Sequence, residues 1–161
     1  MAKTSNGPIE GARYGHTNLI ARDWRSLADW YERLFGCTPV PPERNYAGPE
    51  LSRGTGIADA ALKGVHLRLP GHGGGGPTLE IYTFASTGGG LDPAIDRPGF
   101  GHIAFAVADV EAARNRVLAE DGSPVGDVVT LTTADGRRVT WCYVTDPEGN
   151  VIELQSWSPP A

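Results

Sequence analysis

The sequence contains an internal repeat, and this repeat limits the folds open to the chain more than any other feature. Each half begins with a Gly-His pair and an aspartate seven residues after the histidine, in residues 15–23 (GHTNLIARD) and 101–109 (GHIAFAVAD). Later in each half an apolar run surrounds a glutamate, in residues 78–82 (TLEIY) and 151–155 (VIELQ). A repeat of this length predicts two copies of one supersecondary unit.

The first half predicts a strand, a helix and further strands. Residues 14–22 alternate in hydrophobicity, as strands do, and Asp23 is a suitable helix N-cap. Apolar residues then recur at helical spacing until Gly36, which ends the helix. Strands follow at residues 65–69 and Thr78–Phe84.

The second half predicts the same order of elements. A strand covers residues 102–108, and the next helix is capped by Asp109 and ended by Gly122. Three strands follow it, at residues 124–132, Arg138–Thr145 and 150–157.

Two segments fall outside the repeat. Residues 39–62 are rich in proline and glycine and predict a surface loop with a short helix, although a strand near residues 37–41 is left open. This loop is either an inserted surface segment or a partial lid over a pocket. Residues 70–77 contain four consecutive glycines and predict a hairpin tip.

The repeat predicts an α+β fold of two βαβββ units. Their mixed sheets are expected to form a cup from two half-barrels, with the helices on the outer face. The units cover residues 10–86 and 99–158, and residues 87–98 form a Gly/Pro-rich linker. Because one unit makes half a barrel, two units pair either within a chain or across a homodimer.

Composition and charge exclude several classes of protein. The net charge of −5 disfavours nucleic acid and anionic membranes as partners. No apolar run approaches the roughly 18 residues of a membrane span, and residues 1–12 lack the apolar region of a secretory signal. Cys37 and Cys142 do not form a Cys-x-x-Cys motif. Two such cysteines are typical of a protein in the reducing cytoplasm, which is the location we expect.

Strand alternation groups four residues that commonly bind metals. The apolar neighbours of His16 and Glu80 are expected under the first helix, which leaves His16 and Glu80 on the opposite face. The same reasoning places His102 and Glu153 on the inner face of the second unit. A single strand histidine or glutamate is usually structural, but the same pair in both repeats indicates a divalent metal site, since a cation offsets the cost of burying carboxylates.

These features together resemble the vicinal oxygen chelate superfamily. The resemblance rests on the paired units, the Gly-His strands, the inward glutamates and the turn DPEGN before VIEL at residues 146–154, and it covers about residues 10–158. The superfamily includes glyoxalase I, methylmalonyl-CoA epimerase, extradiol dioxygenases and the bleomycin-resistance binding proteins.

The resemblance implies a metal centre with four protein ligands. His16, Glu80, His102 and Glu153 occupy the ligand positions for one divalent ion, with Ni²⁺, Co²⁺, Zn²⁺, Mn²⁺ and Fe²⁺ as candidates. A complete set argues against the metal-free resistance proteins, and a second acidic ligand argues against the dioxygenases. The epimerase commonly has glutamine where this chain has Glu80, so the set is closer to that of glyoxalase I.

The implied function is that of a metal-dependent lyase or isomerase of the glyoxalase I type. A small substrate with vicinal oxygens would chelate the metal and lose a proton through an enediolate or enolate, with Glu153 or Glu80 as the base. A small-molecule sequestering protein of the bleomycin-resistance type and an acyl-CoA epimerase are the alternatives. Candidate pocket residues are Tyr82, Trp141, Tyr143, His66 and Arg13, and either Arg13 or Arg68 could hold an anionic substrate group.

Overall fold

The computed structural model describes residue 9 and residues 13–86, 88–89 and 94–159. The chain divides into two compact units, Met1–Thr87 and Gly88–Ala161. Residues 1–8 and 10–12, and residues 87 and 90–93 of the predicted linker, lie outside the described residues. The mixed α+β architecture predicted from the repeat is confirmed, with one mixed sheet in each unit.

The first unit has a four-stranded sheet in the order β1–β4–β3–β2. Strands β1 and β4 are parallel, whereas β4, β3 and β2 run antiparallel to their neighbours. Its elements are β1 (His16–Ile20), α1 (Trp24–Phe35), β2 (Thr38–Ala47), α2 (Pro49–Thr55), β3 (Ala61–Arg68) and β4 (Thr78–Phe84).

The second unit has a five-stranded sheet in the order β5–β9–β8–β6, and β7 also pairs with β8. Strands β5 and β9 are parallel, as β1 and β4 are in the first unit. Its elements are β5 (Ile103–Ala106), α3 (Val110–Ala119), β6 (Ser123–Pro124), β7 (Val129–Thr132), β8 (Arg138–Thr145) and β9 (Val151–Ser158).

The helix ends follow the predicted signals with one difference. The Asp23 side chain accepts hydrogen bonds from the first turn of α1, and Gly36 ends this helix with a left-handed φ of 68°. Asp109 caps α3 in the same way, but α3 ends at Ala119, before the predicted stop at Gly122. Gly122 instead permits close packing, since a Cβ there would collide with the Thr145 carbonyl oxygen of β8.

The loop predicted for residues 39–62 is wrong over β2, although the short helix is present as α2. Prolines are tolerated in β2 because, within the described part of the chain, it is the edge strand of the sheet and pairs with β3. A register shift between Val40 and Arg44 accommodates the proline pair of this strand. The single strand predicted at residues 124–132 is instead two short strands, β6 and β7.

Alternation along the strands separates an apolar face from a polar one in both sheets. In β4, Leu79 and Ile81 are fully buried on the side of α1, where the neighbouring Thr83 hydroxyl accepts from the first residue of that helix. In β9, Ile152 and Leu154 are also fully buried. We call the opposite face of each sheet its open face; Glu80 and Glu153 lie on these faces.

The turn of residues 146–150 is organised by a buried aspartate. The Asp146 carboxylate accepts hydrogen bonds from the backbone N–H groups of Glu148 and Asn150, both at 2.9 Å, and from the Asn150 amide at 2.8 Å. Gly149 has a φ of 89°, which favours glycine at this position. Asp146 is only 1% exposed, so the turn fixes the start of β9 from inside the unit.

We therefore expect Asp146→Ala to lower the free energy of unfolding by about 1–3 kcal/mol, because buried donors would lose their acceptor. Urea denaturation followed by circular dichroism measures this change. Asp135→Ala is the control: Asp135 organises the exposed turn before β8, so its loss should lower the free energy of unfolding less than the loss of Asp146. An equal decrease in the free energy of unfolding in the two variants would contradict the special role of the buried Asp146 turn.

No helix among the described residues combines the length and the apolarity that crossing a membrane requires.

Candidate functional site

The open face of the first sheet carries a cluster of two histidines and a glutamate. His16, at the start of β1, places Nδ1 3.3 Å from Oε1 of Glu80. His66 of β3 is paired directly with Glu80 across the sheet, and its Nε2 lies 3.2 Å from the same oxygen. The His16 side chain is 52% exposed whereas that of Glu80 is 11% exposed, so the carboxylate lies at the floor of the cluster and His16 at its rim.

Arg44 of β2 determines the tautomer of His66. A guanidinium can only donate, so the contact of 3.2 Å between Nη2 of Arg44 and Nδ1 of His66 makes Nδ1 an acceptor. The ring proton of neutral His66 is then on Nε2, which donates to the Tyr82 hydroxyl at 2.6 Å. Burial lowers the pKa of His66, and the Arg44 charge acts in the same direction, so the neutral ring is favoured.

The Tyr82 hydroxyl continues this chain of hydrogen bonds to Glu80. Burial, reinforced by the charge of Glu80, raises the pKa of Tyr82, so its phenol keeps its proton and donates. Tyr82 occupies the space over Gly64, where a Cβ would collide with its ring. The Glu80 carboxylate is therefore held by His66 and Tyr82 from one side and approached by His16 from the other.

The open face of the second sheet repeats the His–Glu contact with different surroundings. His102, just before β5, places Nε2 2.9 Å from Oε2 of Glu153. Tyr143 is paired with Glu153 across β8 and β9, and its ring lies 5.1 Å from that of His102 and 4.9 Å from that of Trp141. Burial and the charge of Glu153 raise the pKa of Tyr143.

The two glutamates differ in how firmly they are held. Glu80 contacts His16, His66 and Tyr82, whereas Glu153 has one ion-pair partner among the described residues, His102. The position that Tyr82 takes in β4 corresponds to Gln155 in β9, whose side chain accepts from the Trp157 indole at 2.5 Å. Glu153 consequently has more freedom to rotate towards a bound molecule.

The structure places most of the predicted site residues on these two open faces. The first carries His16, Glu80, Tyr82 and His66, and the second carries His102, Glu153, Trp141 and Tyr143. Arg13 is exposed in the segment before β1. Sequence reasoning missed Arg44, because it lies in the segment predicted as a loop; once β2 is a strand, alternation places Arg44 beside His66.

Two cavities of the first unit, of about 300 and 310 Å³, lie away from these residues. Trp24 of α1 lines both of them, the first with Lys63 and Thr83 and the second with Val65 and Glu43. None of the four predicted metal ligands lines either cavity.

Comparison with known protein families identifies the chain. The model of the Glyoxalase/Bleomycin resistance protein/Dioxygenase superfamily matches residues 13–154. The chain belongs to this superfamily. The match confirms the resemblance to the vicinal oxygen chelate proteins and spans both units. No curated protein matches the chain.

Several solved structures share the fold of this chain. A glyoxalase family protein from Bacillus cereus is 20% identical, with a TM-score of 0.74 and 99% of each chain covered. A glyoxylase/bleomycin resistance protein/dioxygenase domain from Frankia sp. EAN1pec is 16% identical, with a TM-score of 0.56, over 93% of this chain and 95% of that one. An integron cassette protein from V. cholerae is 21% identical, with a TM-score of 0.52, over 91% and 96%.

Members of the glyoxalase superfamily typically bind a divalent metal, and the donors of this chain are of a suitable type. Each unit presents one imidazole nitrogen and one carboxylate in direct contact, and borderline divalent ions accept both kinds of ligand. Within the described part of the chain no group of three or more histidine, cysteine, aspartate or glutamate residues is arranged to hold a metal ion. Each unit thus presents two side chains of the types that bind divalent metals, one histidine and one glutamate.

Proposed function

We propose that this protein is a metal-dependent lyase or isomerase of the glyoxalase I type, which transfers a proton at a carbon next to vicinal oxygens of a small substrate. The proposed metal ligands are His16 and Glu80 from the first unit and His102 and Glu153 from the second, supplied by one chain or by two. The proposed base is a glutamate of this set, with Glu153 favoured over Glu80.

One observation carries this proposal: a His–Glu contact recurs at equivalent positions of two units with the same arrangement of strands. The contact joins β1 to β4 in the first unit and the residue before β5 to β9 in the second. A purely structural contact gives little reason for this recurrence, because a pair with a partly exposed histidine adds little stability. Binding of one cation by both His–Glu pairs would explain why the contact occurs in each unit.

The neighbours of each glutamate suggest different roles for the two carboxylates. Glu80, held by His66 and Tyr82, is suited to remain a fixed ligand. His66 itself is not a proposed ligand, since its Nε2 carries the proton. Glu153 is suited to leave its ligand position, accept a proton from the substrate and return it to a neighbouring carbon.

A bound divalent ion would supply Lewis-acid stabilisation of the negative charge that develops on the substrate oxygens. Tyr143 and Trp141 form an aromatic wall on the open face of the second sheet, suited to an apolar part of the substrate. The neutral phenol of Tyr143 provides a hydrogen-bond donor.

We further propose a homodimer located in the reducing cytoplasm. Cys37 and Cys142 are both free and buried, and burial raises the pKa of Cys37 to about 11, which keeps its thiol protonated and unreactive. Buried, unpaired thiols suit a reducing compartment.

Deuterium exchange tests this proposal. The full-length protein is loaded with each candidate metal in D₂O and incubated with hemithioacetals of several thiols and with branched acyl-CoA esters. We expect deuterium at the acidic carbon of one substrate class, detected by NMR, and none with the His16→Ala/His102→Ala variant. Exchange with the acyl-CoA esters alone would indicate the epimerase activity.

The second candidate function is sequestration of a small molecule, as in the bleomycin-resistance proteins. The edge-to-face pair of Trp141 and Tyr143 favours it, because such an aromatic surface binds planar ligands without any chemistry. Tight binding combined with the absence of exchange for every substrate and metal would support this function and refute the enzyme.

A further inference from the structure

Arg44 has an incomplete set of partners on the open face of the first sheet. Its Nη2 donates to His66, but its Nη1 is buried and has no hydrogen-bond partner within the described residues. A buried donor without an acceptor is unfavourable and therefore calls for a missing partner. The guanidinium is always charged, so the missing partner is best an anion.

Neighbouring carboxylates do not fill this role. Glu43, the preceding residue, points to the other side of β2 and forms a two-pronged ion pair with Arg25 of α1, at 2.8 and 3.0 Å. Glu80 is separated from Arg44 by the ring of His66, which contacts both. The charge of Arg44 is thus available to a molecule bound beside the His16–Glu80 pair.

The register of the sheet brings Arg44 close to Tyr82. Arg44 is paired with Gly64 of β3, and the Tyr82 ring from the other neighbouring strand lies over this glycine. A ligand bound to Nη1 would therefore lie near Tyr82 and the His66–Glu80 pair.

We propose that Nη1 of Arg44 binds an anionic oxygen group, a carboxylate or a phosphate, of the small molecule held on this open face. Arg44 would then have two tasks: Nη2 fixes the tautomer of His66, and Nη1 anchors the ligand. The inference rests on the proposed function in one respect, that the anchored molecule is the substrate. It predicts that the substrate is an anion, which the sequence associated with Arg13 or Arg68.

Binding of simple anions tests this site apart from catalysis. Inorganic phosphate and acetate are titrated separately into the full-length protein, as purified and after treatment with EDTA, while NMR follows the side chains of Arg44 and His66. We expect saturable shifts with at least one anion, and the stronger binder identifies the phosphate or the carboxylate class. Arg44→Met should weaken this binding at least about tenfold, as loss of a charge-assisted hydrogen bond predicts.

Arg68→Met is the matched control, because Arg68 lies on the same face, at the other end of β3, and carries the same charge. Arg68→Met should weaken anion binding less than Arg44→Met does. Equal weakening by the two variants would show that the anion is attracted by charge in general, and it would overturn the proposed site. If Arg44→Met does not fold, Arg44→Lys is used instead. It keeps the positive charge but lacks the two-pronged guanidinium, and it should bind the anion more weakly than wild type.

Absence of saturable shifts with both anions also overturns the proposal. The EDTA-treated samples contain no metal and need no turnover, so failure of the enzyme proposal would not affect this result. If a turnover substrate is found, Arg44→Met should raise KM more than it lowers kcat, since the anchor acts on binding.

Discussion

Glu153→Gln is expected to lower kcat by about 10²–10⁴-fold, the usual contribution of a general base. The amide cannot accept the substrate proton, yet its carbonyl oxygen can still contact His102 or a metal. Binding of a hydroxamate, which mimics an enediolate and chelates the metal, should therefore persist with reduced affinity. Steady-state kinetics and calorimetric titration of the hydroxamate measure the two quantities separately.

Glu80→Gln is the matched control for this variant. Its carbonyl oxygen can still accept from Tyr82, so the loss of kcat should be smaller than in Glu153→Gln. A larger loss in Glu80→Gln would reverse the assignment of the two carboxylates. Unchanged turnover in both variants would exclude either glutamate as the base.

The second large effect concerns metal binding and stability. We expect the protein to bind about one divalent ion per chain, and to unfold at a higher temperature with the ion than without it. A ligand present at about 100 times its Kd stabilises the folded state by about 2.7 kcal/mol. Elemental analysis and thermal denaturation before and after EDTA treatment measure uptake and stabilisation.

His16→Ala/His102→Ala should abolish this uptake and the stabilisation together, because it removes one nitrogen donor from each His–Glu pair. His72→Ala is the control, since His72 is exposed in the glycine-rich segment between β3 and β4. Equal uptake by wild type and the double variant would show that the two pairs are not ligands. An unchanged unfolding temperature after metal removal would refute the stabilisation.

Some features of the candidate site could be predicted from the sequence, and others could not. Period-2 alternation in β4 and β9 predicts that Glu80 and Glu153 lie opposite the buried residues, because burial of one side of a strand fixes the other. The contact between His66 and Glu80 was not predictable in this way, because it depends on the pairing and register of β3 with β4.

The α+β composition, the capped helices and the turn around Asp146 were all predictable from the sequence. These features depend on short-range periodicity, capping side chains and turn residues, which act within a few positions of the chain. The strand formed by the proline-rich residues of β2 was not predictable from the sequence. Its conformation comes from pairing with β3 and not from local propensity. That pairing brings Arg44 to His66 and leaves Nη1 without an acceptor among the described residues, so the proposed anion site follows from contacts between residues far apart in sequence.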